Sequence, residues 1–221
     1  MIVLASRIWK KLKYFLGMEV AYSTKGLALY QKKYTTVLIE EFGLFDAKPV
    51  LTPMDYTVHL SKTSGEPMAD PTTYIRLIGK LQYLTNTKPH IAFAVGKLSQ
   101  YLESPTNYHH KAAMKIVRYL KRAPGTGLFF HLNSDFTLTG FVDVNWTTCP
   151  DTRRSVSEYC FFLGTALISW KSSKQQTVSR SSSDAEYRAL ANVTCEGLWL
   201  VRLLRVFCVN HEKSFTLYSD S

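Results

Sequence analysis

Residues 123 to 127, Ala-Pro-Gly-Thr-Gly, constrain this chain more than any other segment, because the texture of the sequence changes across them. Upstream, apolar residues recur at helical spacing. Downstream they alternate, as strands require. A proline and two glycines in five residues break either pattern, so the segment reads as a domain boundary, with one unit over residues 1–124 and a second over 125–221. A length of 221 residues is enough for two small cores. Hydrophobic residues make up 46% and charged residues 20%, which excludes wholesale disorder, and no solenoid repeat is visible.

In the upstream unit, LKYFLGMEV from Leu12 and GLALYQ from Gly26 read as a hairpin across Ser23 to Gly26. KKYTTVLIEEFGLF carries Tyr34, Val37, Leu38 and Phe42 at helical spacing and meets Gly43, a natural terminating glycine. Pro, Asp, Ser and Gly then break every period from Lys48 to Pro71, which reads as an extended loop. Three helices are expected at Thr72–Leu84, His90–Leu102 and Asn107–Arg122. The last bears Lys111, Lys115, Arg118 and Lys121 on one face, suited either to tracking phosphates or to forming a solvated outer face.

Downstream, GLFFHL and FTLTGFVDV are strand-like, and turn residues crowd Cys149 to Arg154. SVSEYCFFL and ALISWKS flank Gly164-Thr165, a two-residue connection with glycine first, as a type II′ hairpin wants. A helix from the SRSSSDAEYRAL segment through Val206 precedes a last strand, SFTLYSD. The order strand, strand, strand, helix, strand places the last strand parallel to the first through a crossover, in a mixed sheet of α+β or α/β type.

That topology gives three acids a shared destination. Asp143 lies near the end of its strand on the face of Thr139 and Phe141, and Asp220 ends the last strand on the face of Thr216 and Tyr218. Glu186 heads a helical row with Leu190, Val193, Gly197, Leu200 and Leu204, whereas Asp184 falls toward Arg188 as a first-turn charge, with Ser181 to Ser183 offering the N-cap. Three carboxylates drawn together repel, and divalent cations that prefer oxygen resolve the conflict. Two Mg²⁺ ions, with Mn²⁺ as substitute, about 3.5–4 Å apart could serve phosphodiester cleavage.

Lys and Arg outnumber Asp and Glu by 27 to 17, a net charge of +10 that favours a polyanionic partner. Arg153, Arg154, Lys171, Lys174 and Arg180 are candidate phosphate contacts, or else a solvated hairpin surface. Trp146 and Trp170 suit the core, with stacking on bases as the alternative; His109 and His110 read as surface residues and His131 as structural. Cys149, Cys160, Cys195 and Cys208 lack CxxC spacing, which argues against zinc and for a reducing compartment. MIVLASR is too short an apolar start for a signal segment or membrane span.

The words around the acids carry a resemblance. GFVDVNWTTCPDTRRSVSEYCFFLGTALISWKSSKQQTVSRSSSDAEYRALANVTCEGLWL resembles the ribonuclease H segment of Ty1/copia-type retrotransposon Pol polyproteins, and LYSDS resembles the start of that family's third acidic motif. Upstream, LKYFLGMEV, PVLTPMD, YIRLIGKLQYLTNTKPHIAFAV and AAMKIVRYLKRAPGTGL resemble the part of the same polyprotein that follows the polymerase active-site motif; only MIVLASRIWK fits poorly. The resemblance implies a partial reverse-transcriptase palm, thumb and connection-like segment without its YVDD-like motif, followed by an incomplete ribonuclease H-like mixed sheet. Asp143, Glu186 and Asp220 match the family's catalytic, metal-holding acids. It further implies RNA–DNA hybrid as substrate, the upstream and downstream parts of Pol as partners, no membrane, and an intracellular setting in cytoplasm, virus-like particle or nucleus.

The sequence departs from the family pattern at Asn145 and His90, where aspartate is usual, at Thr147 and Thr148, where small residues are usual, and at Glu158, where glycine is usual. Because the chain stops at Ser221, short of a final acidic motif, weak or absent cleavage is expected from it alone. A non-catalytic nucleic-acid-binding module and a non-functional relic are the rival readings.

Overall fold

The computed structural model describes residues 12–55, 60–132, 134–209 and 214–220. The first sheet begins with β1 (Tyr14–Phe15), β2 (Met18–Tyr22) and β3 (Gly26–Tyr30), the last two forming the expected hairpin. Ser23 closes its turn, donating through both its amide and its hydroxyl to the Gly26 carbonyl, at 2.8 and 3.0 Å. Helix α1 (Lys32–Glu41) follows and ends before Gly43, whose φ of +64° is the left-handed conformation expected of a terminating glycine. Leu38 and Ile39 face inward, while Val37 stays exposed.

Helices α2 (Thr72–Leu84), α3 (Ala92–Ser99, preceded by a 3₁₀ turn at Pro89–Ile91) and α4 (Asn107–Leu120) build the first core. Leu77, Leu81, Val95, Leu98, Ile116 and Val117 are fully buried in it. The described residues of the segment from Lys48 to Pro71, 48–55 and 60–71, form no helix or strand element, in line with the expected loop, and α4 and its flanks hold this part of the chain. The Arg118 guanidinium donates to the Lys48 carbonyl at 3.0 Å, and the Lys121 ammonium donates to the Phe45 carbonyl and, at 2.7 Å, to that of Ala47. Half of the basic stripe on α4 is therefore engaged with the chain's own carbonyls.

His109 corrects the sequence reading. It is completely buried rather than on the surface. Its ring stacks on Tyr101 with centroids 3.9 Å apart, Nδ1 accepts from the Thr106 amide at 3.1 Å, and Nε2 donates to the Ser61 carbonyl at 3.0 Å. The reason is local: Thr106 is the N-cap of α4, and His109 is the third residue of its first turn, returning the cap's bond.

The strand after Ala123-Pro124-Gly125-Thr126 supplies a second correction. β4 (Gly127–His131) pairs antiparallel with β3 and completes the first sheet, in the order β1-β2-β3-β4. The buried Lys88 ammonium pins the turn itself, donating to the carbonyls of Pro124 and Thr126 at 2.9 and 2.6 Å. Burial lowers its pKa to about 8. The change of sheet therefore comes after His131, not at residues 123–127.

The second sheet runs β7-β6-β5-β8, from β5 (Leu138–Asn145), β6 (Val156–Leu163), β7 (Ala166–Lys174) and β8 (Thr216–Ser219), with α5 (Ser182–Val206) between β7 and β8 in sequence. β5 pairs antiparallel with β6 and parallel with β8, as the order of elements required. The helix lays Ala189, Val193, Leu200 and Val201 on Leu138, Val142 and Phe161. Trp146 is 47% exposed, contrary to a core role, and Trp170 is half-buried. The four cysteines are free thiols. Among the described residues no helix is long and apolar enough to cross a membrane.

Two measurements test this framework. Gly164 turns the β6–β7 hairpin at φ +57°, with Ser134 and Asp135 against the position a Cβ would take. Gly164→Ala is expected to lower stability by about 1–2 kcal/mol, read by thermal unfolding. Burial also lowers the pKa of His109 and, in the same direction, those of His90 and His110. The folded chain therefore binds fewer protons at these rings than the unfolded chain, which takes them up as pH falls through about 6.5. Stability is thus complete above that pH and declines below it. Denaturant midpoints recorded from pH 7.5 to 5 should fall, and fall less in His109→Gln.

Candidate nuclease site

The parallel pairing of β5 with β8 fixes the frame of the site. Thr139 lies beside Thr216, Phe141 beside Tyr218 and Val142 beside Ser219. Side chains alternate along a strand, so Asp143 and Asp220 continue the Phe141–Tyr218 row on one face, past the last paired residues. The Phe141 and Tyr218 rings stack at 5.4 Å, consistent with that register.

Glu186 reaches the same end of the strands from the other face. Ser181 caps α5, accepting from the Asp184 amide at 3.1 Å, and Asp184 accepts from the Arg188 guanidinium at 2.8 Å and from the Arg180 amide at 3.1 Å. The Arg188 bond is the first cause holding the Asp184 carboxyl below its ordinary pKa. Asp184 is thus the first-turn charge that the sequence suggested. The buried row of the helix is Ala185, Ala189, Val193, Gly197, Leu200 and Leu204; Glu186 and Leu190 border it, half-buried, rather than heading it. Alanine is small enough for the helix to approach the sheet closely, and this leaves the glutamate at the margin, facing the strand ends.

The three acids line one cavity of about 270 Å³, together with Val142, Val144, Leu190 and Ser219. Asp143 and Asp220 are exposed, and Asp143 accepts from the Val144 amide at 2.7 Å. Carboxylate oxygen is the donor that Mg²⁺ and Mn²⁺ take, so the residues suit such an ion in kind. Among the described residues, however, no three His, Cys, Asp or Glu side chains are gathered closely enough to hold one.

Of the five basic candidates, none lines the acid cavity. Lys171 lines a neighbouring cavity of about 450 Å³ that also includes Asp143, and Lys171 and Lys174 share another along α3. Arg153 and Arg154 lie in the β5–β6 connection, Arg153 at φ +55°, and Arg180 lies just before α5. They are spread around the site rather than focused on it.

One further carboxylate stands beside Asp143, and another lies farther along α5. Glu158 pairs directly with Asp143 across β5 and β6 and accepts from the Ser172 hydroxyl at 2.7 Å, which shows how the sheet accommodates a glutamate there. Glu196, on α5, accepts from Ser169 at 3.0 Å beneath the sheet. Its charge adds to the burial that raises the pKa of Tyr159. Sequence reading missed both placements, since the β5–β6 register and the rotation of α5 depend on packing.

Similarity to known proteins agrees with the motif words. The chain is 38% identical over 210 residues, 95% of its length, to the retrovirus-related Pol polyprotein from transposon RE2 of Arabidopsis thaliana, and 35% identical over 93% of its length to that from transposon TNT 1-94 of Nicotiana tabacum. This chain belongs to the retrovirus-related Pol polyproteins of copia-type transposons. It spans about 14% of the length of the Arabidopsis Pol relatives it matches. An uncharacterized mitochondrial protein of Arabidopsis thaliana is 39% identical over 84% of the chain and is itself 77% covered. No family model and no solved structure matches. Matches of 210 and 212 residues take in nearly the whole of this Pol segment.

Proposed function

We propose that this stretch of Pol carries the acidic part of a ribonuclease H-type site, which cuts the RNA strand of RNA–DNA hybrids in the intact polyprotein. The supporting observation is that Asp143, Glu186 and Asp220 line one cavity at the shared end of two parallel strands and a helix. In this reading the three carboxylates hold the cations, with Mg²⁺ the expected ion and Mn²⁺ its substitute. Bound there, the ions would supply charge stabilisation and an activated water for phosphodiester cleavage. The chain's own groups position the substrate: Asp184 and Ser181 fix the first turn that presents Glu186, and Lys171, Lys174, Arg153, Arg154 and Arg180 meet phosphates around the rim. The net charge of +10 draws the hybrid in. The parts of Pol on either side are the natural protein partners.

A second reading, a module that grips nucleic acid without cutting it, draws on the observation that the acids are not gathered into a single coordination sphere. A labelled RNA–DNA hybrid with Mg²⁺ separates the two. Under the nuclease reading the chain cleaves the RNA strand, weakly on its own, and Asp143→Asn lowers that rate by about two orders of magnitude or more, as expected for a group acting on the transition state. Hybrid binding in that variant should stay within about twofold. Binding with a steep salt dependence and no cleavage would support the second reading instead.

A further inference from the structure

The face of the second sheet that carries Asp143 is only half covered. At the β7 end, α3 packs so closely that a Cβ on Gly96 would lie 3.3 Å from the Ser172 carbonyl. At the β5–β8 end nothing among the described residues covers Phe141 and Tyr218, which are 44% and 54% exposed. Phe141 stacks on Tyr218 and also meets the Phe162 ring edge to face, at 6.0 Å. Three rings thus form a row across β6, β5 and β8, and the row leads directly to Asp143 and Asp220. Large exposed apolar groups in such a row mark a binding surface more often than a neutral one.

The chemistry of the surroundings selects the occupant. Phe141, Asp143 and Trp170, which share one face of the sheet, all line the 450 Å³ cavity, so rings and carboxylate face one space. Alternate side chains on one strand face stand roughly 7 Å apart. A group lying on Phe141 is therefore next to whatever Asp143 handles. Aromatic rings on an open sheet stack nucleobases regardless of sequence, since every base presents a π-face. A paired base within a duplex keeps both faces stacked on its neighbours, so the base must be unpaired. A net charge of +10 opposes a second copy of the chain in this position and favours a polyanionic strand.

We infer that Phe162, Phe141 and Tyr218 form a stacking platform for unpaired bases of a strand running on from the acid cavity, a substrate contact that rests on the nuclease reading of that cavity. The platform favours a hybrid with a single-stranded extension over a blunt one.

The test compares fluorescein-labelled RNA–DNA hybrids with a short single-stranded overhang, either natural or abasic, titrated with the full chain in EDTA so that no cleavage intervenes. The wild-type chain should bind the natural overhang about tenfold more tightly than the abasic one, the lower end of what a stacked base contributes. The Phe141→Leu/Tyr218→Leu double variant, which keeps apolar bulk but removes two rings, should bind both alike. A ratio of one in the wild-type chain, or a ratio that survives in the double variant, overturns the platform. So does wild-type self-association that the double variant abolishes, which would assign the rings to a second copy. A chain that cleaves blunt hybrid yet shows a ratio of one would overturn the platform alone; one that shows the tenfold ratio yet never cleaves would overturn the nuclease reading alone.

Discussion

The pairing of β8 alongside β5 is the interaction on which the candidate site depends. Asp220 is 77 residues beyond Asp143 in the chain, and only the parallel ladder from Thr139–Thr216 to Val142–Ser219 makes them neighbours. Parallel strands need a long crossover, and α5 provides it while covering one face of the sheet. Its grip comes from Ala189, Val193, Leu200 and Val201 on Leu138, Val142 and Phe161. If that apolar contact loosened, the helix terminus carrying Glu186 and the strand carrying Asp220 would both lose their registration with Asp143. The placement of the three acids and the hydrophobic packing are therefore coupled here through one helix.

The opposite face of the sheet sustains an electrostatic cost. Asp143 and Glu158 stand directly opposite across an antiparallel pair, where like charges are destabilising. Glu158 is steadied by the Ser172 hydroxyl, and Asp143 points toward solvent at the strand end. A site that concentrates carboxylates in this way gains from an ion or from solvent exposure, and the exposure of Asp143 and Asp220 supplies the second. The first half of the chain is organised differently. Its long loop is bound by His109, Arg118, Lys121 and Tyr101 to backbone carbonyls, so several of its polar side chains serve architecture.

Periodicity and turn chemistry made much of the architecture readable in the sequence. The glycine-first hairpin at Gly164, the helix over Thr72–Leu84, the cap at Ser181 and the place of the last strand all rest on local rules that the structure obeys. What could not be read depends on distant partners. Nothing in Gly127–His131 says that it returns to β3, because an alternating strand fits either sheet. His109 looks like a surface residue until the loop at Ser61 and the ring of Tyr101 close over it. Glu186 was placed within a row of apolar residues, whereas the two alanines before and after it make the closer contact. The acids themselves were found by their position at strand ends and by the family words around them, while their mutual spacing belongs to side-chain rotamers that no pattern encodes.

The central claim, that Asp143, Glu186 and Asp220 act as one divalent-cation site, is tested most directly by calorimetric titration of the chain with Mn²⁺. The account predicts saturable binding that is weakened in each of Asp143→Asn, Glu186→Gln and Asp220→Asn and left intact in Asp184→Asn, whose carboxylate is engaged by Arg188. Absence of binding, or binding that the three substitutions leave unchanged, would contradict it.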